Sequence, residues 1–217
     1  MAPNDFQKII DDYTERMKTY GISQKTLGWT KGRARLRFEI LASQWDLHQA
    51  AILDLGCGFG DLCTFLKQRL GSGFTYYGVD INPEFIRVAR ARHPEAEFKT
   101  ANILDLEMTR GFDYGFASGL FNDRLGDNAA FVRQGLRRLH GCCRKGFAAN
   151  FLSDRVDYEP GHTFHANPAW VLNLCYQYTR NVVLRNDYMP YEFAVFVHTA
   201  ARVDPKWLVY DDFLHYV

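Results

Sequence analysis

The chain has 217 residues, 47% hydrophobic and 24% charged, a balance that suits one compact α/β domain with a sizeable core. Its 26 Lys and Arg nearly cancel its 25 Asp and Glu, for a formal net charge of +1, which excludes a global field for nucleic acid or an anionic membrane and favours a small-molecule partner. Cys57, Cys63, Cys142, Cys143 and Cys175 show neither metal-type nor disulfide-scaffold spacing, and no apolar run reaches membrane-spanning length, so the expectation is a reduced, cytoplasmic protein of open oligomeric state.

Residues 5–20 place Phe6, Ile9, Ile10, Tyr13, Met17 and Tyr20 at helical spacing on an otherwise charged segment, with Gly21 as its stop. A second helix is expected from Lys31 to Trp45, carrying Leu36, Phe38, Ile40 and Leu41. Residues 1–48 therefore read as a helical cap on a core spanning 49–217. In that core seven strand-like runs follow one another: AAILDLG, TYYGVDI, AEFKTANI, FDYGFAS, KGFAANF, NVVLRND and EFAVFVHT. Helical segments GDLCTFLKQRL, NPEFIRVARAR and DNAAFVRQGLRRLH lie among the first five, and this alternation predicts a doubly wound, Rossmann-like, mostly parallel sheet. Only RNDYMPYE separates the last two runs, too short for a parallel crossover, so the last strand is predicted to be antiparallel.

Asp54-Leu55-Gly56-Cys57-Gly58-Phe59-Gly60 sits between the first strand and the first core helix, where an open α/β sheet holds a nucleotide. Glycines there allow positive φ and close approach of a ligand to the backbone. A dinucleotide fingerprint, G-x-G-x-x-G, would need glycine where Asp61 stands, and no phosphate loop is present. The second strand ends in Asp80, suited to accept both hydroxyls of a ribose, followed by Ile81. At the end of the third, the Asn102 amide and the Ile103 backbone suit an adenine edge. The fourth ends in Ser118 and Gly119, small enough for a ligand to come close.

In order and spacing, ILDLGCGFGDL, YYGVDI, the AN-I turn and FDYGFASG resemble the successive motifs of class I S-adenosylmethionine-dependent methyltransferases, over roughly residues 28–198. The resemblance implies Gly56, Cys57, Gly58 and Gly60 beneath the methionyl and ribose parts of the cofactor, and Asp80 with Ile81 at the ribose. It further implies Asn102 and Ile103 at the adenine, Ser118 and Gly119 near the sulfur, and Asp54 orienting the loop or binding the amino group. Asn102 departs from the Asp that many members carry. LGW at Leu27–Trp29, RLRFEIL and LRNDYMPYEF are also similar to a bacterial small-molecule subgroup.

Two roles are open to Trp29 and Arg37: closing over the methionine moiety, with the guanidinium on its carboxylate, or simple packing with a solvated arginine. The insert at about 153–178 is expected to build the acceptor site. Tyr158, His162, His165, Trp170, Tyr176 and Tyr178 are its aromatic candidates, although Val171, Leu172, Leu174 and Cys175 mark an ordinary core stripe. Tyr158, His162, Tyr176 and Asn122 are the candidate catalytic positions; for Asn122 helix capping is the alternative. His162 and His165 lack further ligands at metal spacing, so no metal is expected. The predicted reaction is in-line methyl transfer to a small molecule. The alternatives are cyclisation of the cofactor to azetidine-2-carboxylate and methylthioadenosine, or a binding protein without catalysis.

Overall fold

The computed structural model describes residues 3–29, 32–107, 109 and 111–217. Helices α1 (Pro3–Tyr20) and α2 (Ala34–Leu41) precede the core. There follow β1 (Ala50–Leu55), α3 (Asp61–Leu70), β2 (Phe74–Asp80), α4 (Pro83–Arg92), β3 (Glu97–Thr100), β4 (Phe112–Ala117), α5 (Asn128–Cys142) and β5 (Cys143–Leu152). Helix α6 (Pro168–Cys175) and strands β6 (Val182–Arg185) and β7 (Glu192–His198) complete the core.

All seven expected runs form strands of one sheet, ordered β3-β2-β1-β4-β5-β7-β6. The first five are mutually parallel, and β7 runs antiparallel to both β5 and β6. Burial on both faces explains the nearly continuous apolar runs. Leu53 and Leu55 of β1 pack with α5 and α6, whereas Ile52 packs on the other face with α2, α3 and α4. Strand order reverses between β1 and β4, which opens a crevice at their C-terminal ends.

The helical cap differs in part from its expectation. Gly21, at φ 62°, ends α1 and donates its N–H to the Met17 carbonyl. The second helix is shorter than the pattern predicts; its expected start, Lys31, lies outside the described residues. Its end tightens as Ser43 N–H bonds the Ile40 carbonyl, which frees Trp45 to stack on Tyr114 of β4 at 4.9 Å between ring centroids. A tertiary aromatic contact there overrides helical periodicity. Among the described residues no helix is long and apolar enough to cross a membrane.

Candidate functional site

The glycine turn after β1 owes its shape to left-handed backbone at Gly56 (φ 76°), Gly58 (φ 53°) and Gly60 (φ 77°). Asp80, at the end of β2, spans that turn and the next: its carboxylate accepts from Gly58 N–H at 2.9 Å and from Asn82 N–H at 2.9 Å. Asn82 in turn caps α4 with its side chain and donates Nδ2 to Thr14 Oγ1 of α1 at 3.2 Å. The cap helix is thereby fastened to the crevice.

An inner cavity of about 1060 Å³, including its mouth, lies under α1. Asp54, Gly56, Cys57, Gly58, Asp80, Ile81, Asn102, Ile103, Ser118, Gly119 and Trp29 all line it, so four strand ends do converge as the sequence suggests. Gly60 does not. A Cβ there would come within 3.0 Å of His93 and 3.3 Å of Phe98, so this glycine serves the entry of α3 and its packing rather than a ligand surface.

The lining has a polarity suited to a nucleoside carrying a charged tail. Burial raises the Asp80 carboxyl against the pull of its backbone donors Asn82, Gly58 and Ile81, which together leave acceptor capacity for a further donor. Asp54 is buried, accepts a hydrogen bond from the Tyr76 hydroxyl, and is pushed up to about 7 by desolvation. Asn102 Oδ1 accepts from Leu104 N–H at 3.0 Å, which fixes the amide at the cavity edge. Ser118 Oγ is buried with no hydrogen-bond partner among the described residues. A buried hydroxyl left unpaired is costly, and a ligand reaching it would supply the missing partner. These residues therefore fit S-adenosylmethionine.

A second, outer cavity of about 1250 Å³ adjoins the first, and Tyr13, Leu27, Trp29, Gly119 and Asp123 line both. Tyr13 donates its hydroxyl to Asp123 Oδ2 at 2.9 Å, joining two residues 110 positions apart. Burial raises Asp123 above the usual carboxylate range, with Tyr13, Arg16 and His162 opposing that rise. Tyr13 and Asp123 were not singled out from sequence. Tyr13 lies on the α1 apolar stripe, and nothing local distinguishes Asp123 from a turn residue.

Of the four candidate catalytic positions, Tyr158, His162 and Asn122 line the outer cavity. Asn122 does not cap α5; that role falls to Asp127, while Asn122 Oδ1 accepts from Leu152 N–H at the end of β5. Tyr176 is a correction. It caps the C-terminal end of α6, half-exposed, and lines neither cavity, because α6 packs on β6 and β7 and leaves its last residue facing solvent. Trp170 meets Arg133 of α5 and Tyr178 stacks on His140, so they too are packing residues.

Arg37 lines the outer cavity only, and its partner is Glu192 rather than a cofactor carboxylate. Nη2 meets Glu192 Oε2 at 2.6 Å, and Trp29 lies 4.0 Å over the guanidinium carbon. Glu192 Oε1 also accepts from Asn150 Nδ2 at 2.6 Å and Tyr188 OH at 3.2 Å. Asn150 Oδ1 accepts Gly119 N–H at 2.8 Å. One buried network therefore holds Trp29 from below and fixes the Gly119 turn, where a Cβ would lie 2.5 Å from the Trp29 ring.

A family model described as "Methyltransferase domain" matches residues 47–142. A provisionally named methyltransferase of Mycobacterium tuberculosis is 35% identical over 161 residues, covering 70% of this chain and 94% of that protein. The trans-aconitate 2-methyltransferase of Rhodopseudomonas palustris is 29% identical over 140 residues, 64% of this chain but only 52% of that longer protein. Among solved structures, the magnesium protoporphyrin IX methyltransferase of Synechocystis with bound SAH superposes with a TM-score of 0.65 at 16% identity, over 89% of this chain and 99% of that one. With the crevice, glycine turn and acidic strand end described above, these matches are decisive: the chain belongs to the class I S-adenosylmethionine-dependent methyltransferase family.

Proposed function

We propose that the protein transfers a methyl group to a small-molecule acceptor seated in the outer cavity, with the cofactor in the inner one. The observation that carries this reading is the shared wall of Tyr13, Leu27, Trp29, Gly119 and Asp123, across which two separate cavities meet. When bound, S-adenosylmethionine supplies an activated methyl on a positively charged sulfur. The remaining work falls to alignment and exclusion of water. Asp80 would hold the ribose hydroxyls, Asn102 and the Ile103 backbone the adenine edge, and Ser118 Oγ a polar atom near the reacting end. Gly58 keeps the turn close beneath the ligand.

Asp123, at the junction of the cavities and held by Tyr13, is the group positioned to take a proton from an acceptor as it is methylated. Its raised affinity for protons suits that task better than an ordinary surface carboxylate would. A small-molecule acceptor is supported by the balanced charge and by the names of relatives, one a trans-aconitate 2-methyltransferase and another, from Xanthomonas oryzae, a ubiquinone biosynthesis O-methyltransferase. The outer cavity also favours transfer over cyclisation, since a cyclising enzyme has no use for a second chamber.

The test is incubation of purified protein with S-adenosylmethionine alone and then with cell extract, resolving the adenosine products. S-adenosylhomocysteine appearing only with extract is the expected result. Methylthioadenosine without acceptor would overturn the reading in favour of cyclisation, and neither product would favour a binding protein.

A further inference from the structure

The outer cavity carries more positive charge than its surroundings neutralise. Arg16, Arg33 and Arg37 line it together with His162 and His165; Asp123 is the acidic residue of its lining. Arg37 is already matched by Glu192. Arg33 and Arg16 have no carboxylate within 4.0 Å among the described residues, although both are half-buried. What Arg33 has instead is a hydroxyl: Nη1 donates to Tyr191 OH, and its guanidinium carbon stands 5.7 Å from the Tyr191 ring centroid. Arg16 leans on Tyr13, 5.2 Å from that ring centroid, and its Nη2 lies 3.4 Å from where a Cβ on Gly28 would stand.

Guanidinium groups withdrawn from water and held by aromatic faces rather than by carboxylates keep their planar donors free for an anion. A cleft whose lining carries an excess of one sign, here Arg16 and Arg33 against the single carboxylate of Asp123, also concentrates ligands of the other sign. Arg33 and Arg16 line the outer cavity and not the inner one, so their natural partner enters from the acceptor side. We infer that the acceptor is an anion, bearing a carboxylate or phosphoryl oxygen that Arg33 and Arg16 bind while its nucleophilic atom reaches the Asp123 junction. The inference rests on the methyltransferase reading and names its substrate class. Arg33 and Arg16 are thus specificity residues, whereas Arg37 positions Trp29.

The experiment is calorimetric titration of the full chain saturated with S-adenosylhomocysteine, using citrate, inorganic phosphate and, as a neutral control, mannitol. One of the two anions is expected to bind and mannitol not, with the better anion separating carboxylate from phosphoryl recognition. Arg33→Gln should weaken that anion at least tenfold, Arg33→Lys less, and Arg16→Gln provides a second variant in case Arg33→Gln unfolds. S-adenosylhomocysteine affinity should stay within twofold in all three. No anion binding by the loaded wild type, or equal binding by wild type and both Gln variants, would overturn the inference. So would an Arg33→Gln protein that loses affinity for S-adenosylhomocysteine but not for methylthioadenosine, because the arginine would then serve the cofactor's own carboxylate. Failure of the wild type to bind S-adenosylhomocysteine at all would instead sink the methyltransferase reading, and this inference with it.

Discussion

Glu192→Gln is the most informative single perturbation, because it removes one charge from a site that water cannot reach. The Glu192 side chain is 0% exposed and that of Arg37 is 6% exposed. Its two oxygens receive Arg37 Nε at 3.0 and 2.7 Å, Arg37 Nη2, Asn150 Nδ2 and Tyr188 OH. An amide would turn N–H groups toward those donors and leave Arg37 without a counterion. Breaking a buried pair from one side costs about 3–5 kcal/mol. For a chain of this size that is a fall in melting temperature of about 6–20 °C. Because Asn150 fixes Gly119 N–H and Arg37 supports Trp29, affinity for S-adenosylhomocysteine should fall in the fraction that remains folded. Thermal unfolding followed by circular dichroism, with and without S-adenosylhomocysteine, reads both effects. Replacing both partners (Arg37→Met with Glu192→Leu) should recover part of the loss, the rest being the unpaired Asn150 and Tyr188 at roughly 1–3 kcal/mol each. A Glu192→Gln protein that melts with the wild type would refute the reasoning, since the pair would then not be holding a buried charge.

Asp80→Ala should weaken S-adenosylhomocysteine by at least thirtyfold in calorimetry, since it removes the ribose acceptor and unpairs Gly58 and Asn82 N–H; unchanged affinity would mean the ligand lies elsewhere. Asp123 must be deprotonated to accept a proton and its pKa is raised, so kcat should fall as pH drops through a value above the usual carboxylate range; Asp123→Asn should erase that limb and lower kcat roughly 10²-fold or more, with KM for the cofactor unchanged. Asp54, pushed up to about 7 when folded, holds a proton that the unfolded chain releases above about 4, so its stabilisation is complete below that pH and lost as pH rises through about 7. Asp54→Asn should therefore flatten the decline of the urea midpoint between those limits, and an identical slope in both proteins would contradict it. Tyr176→Ala should leave kcat/KM within twofold, because the residue caps the far end of α6, and a large loss would restore it to the site.

What was legible in the sequence was whatever is fixed by neighbours along the chain. All seven strands were legible as short apolar runs, several of them set off by helical segments, and the β6–β7 reversal followed from the length of one connection. Asp54, Asp80, Asn102 and Ser118 were legible because each stands at the end of such a run, and the topology of an open sheet brings strand ends together. Gly60 misled for a related reason: the motif makes its backbone conformation visible but not the side on which His93 and Phe98 close over it. Tyr176 misled because an aromatic-rich insert says nothing of which way its helix turns each side chain, and Tyr176 falls at the exposed C-terminal cap of α6.

The acceptor side was less legible, and the cause is separation along the chain. Arg37 and Glu192 are 155 residues apart and Tyr13 and Asp123 are 110 apart, so neither pair leaves any spacing for sequence reasoning to detect. In isolation Arg37 invites pairing with a ligand carboxylate; beside Glu192 it becomes structural, and the free charge passes to Arg33 and Arg16. The same network that hides Arg37 from the ligand fixes Trp29 and the Gly119 turn at the wall between the cavities. Cofactor recognition in this fold is therefore assembled from strand ends and can be read locally. Acceptor recognition, in the function proposed above, is assembled by α1, the segment leading into α2, the stretch from Leu152 to His165 and the turn before β7, so the charge that selects the substrate emerges only once those distant pieces have cancelled what they can.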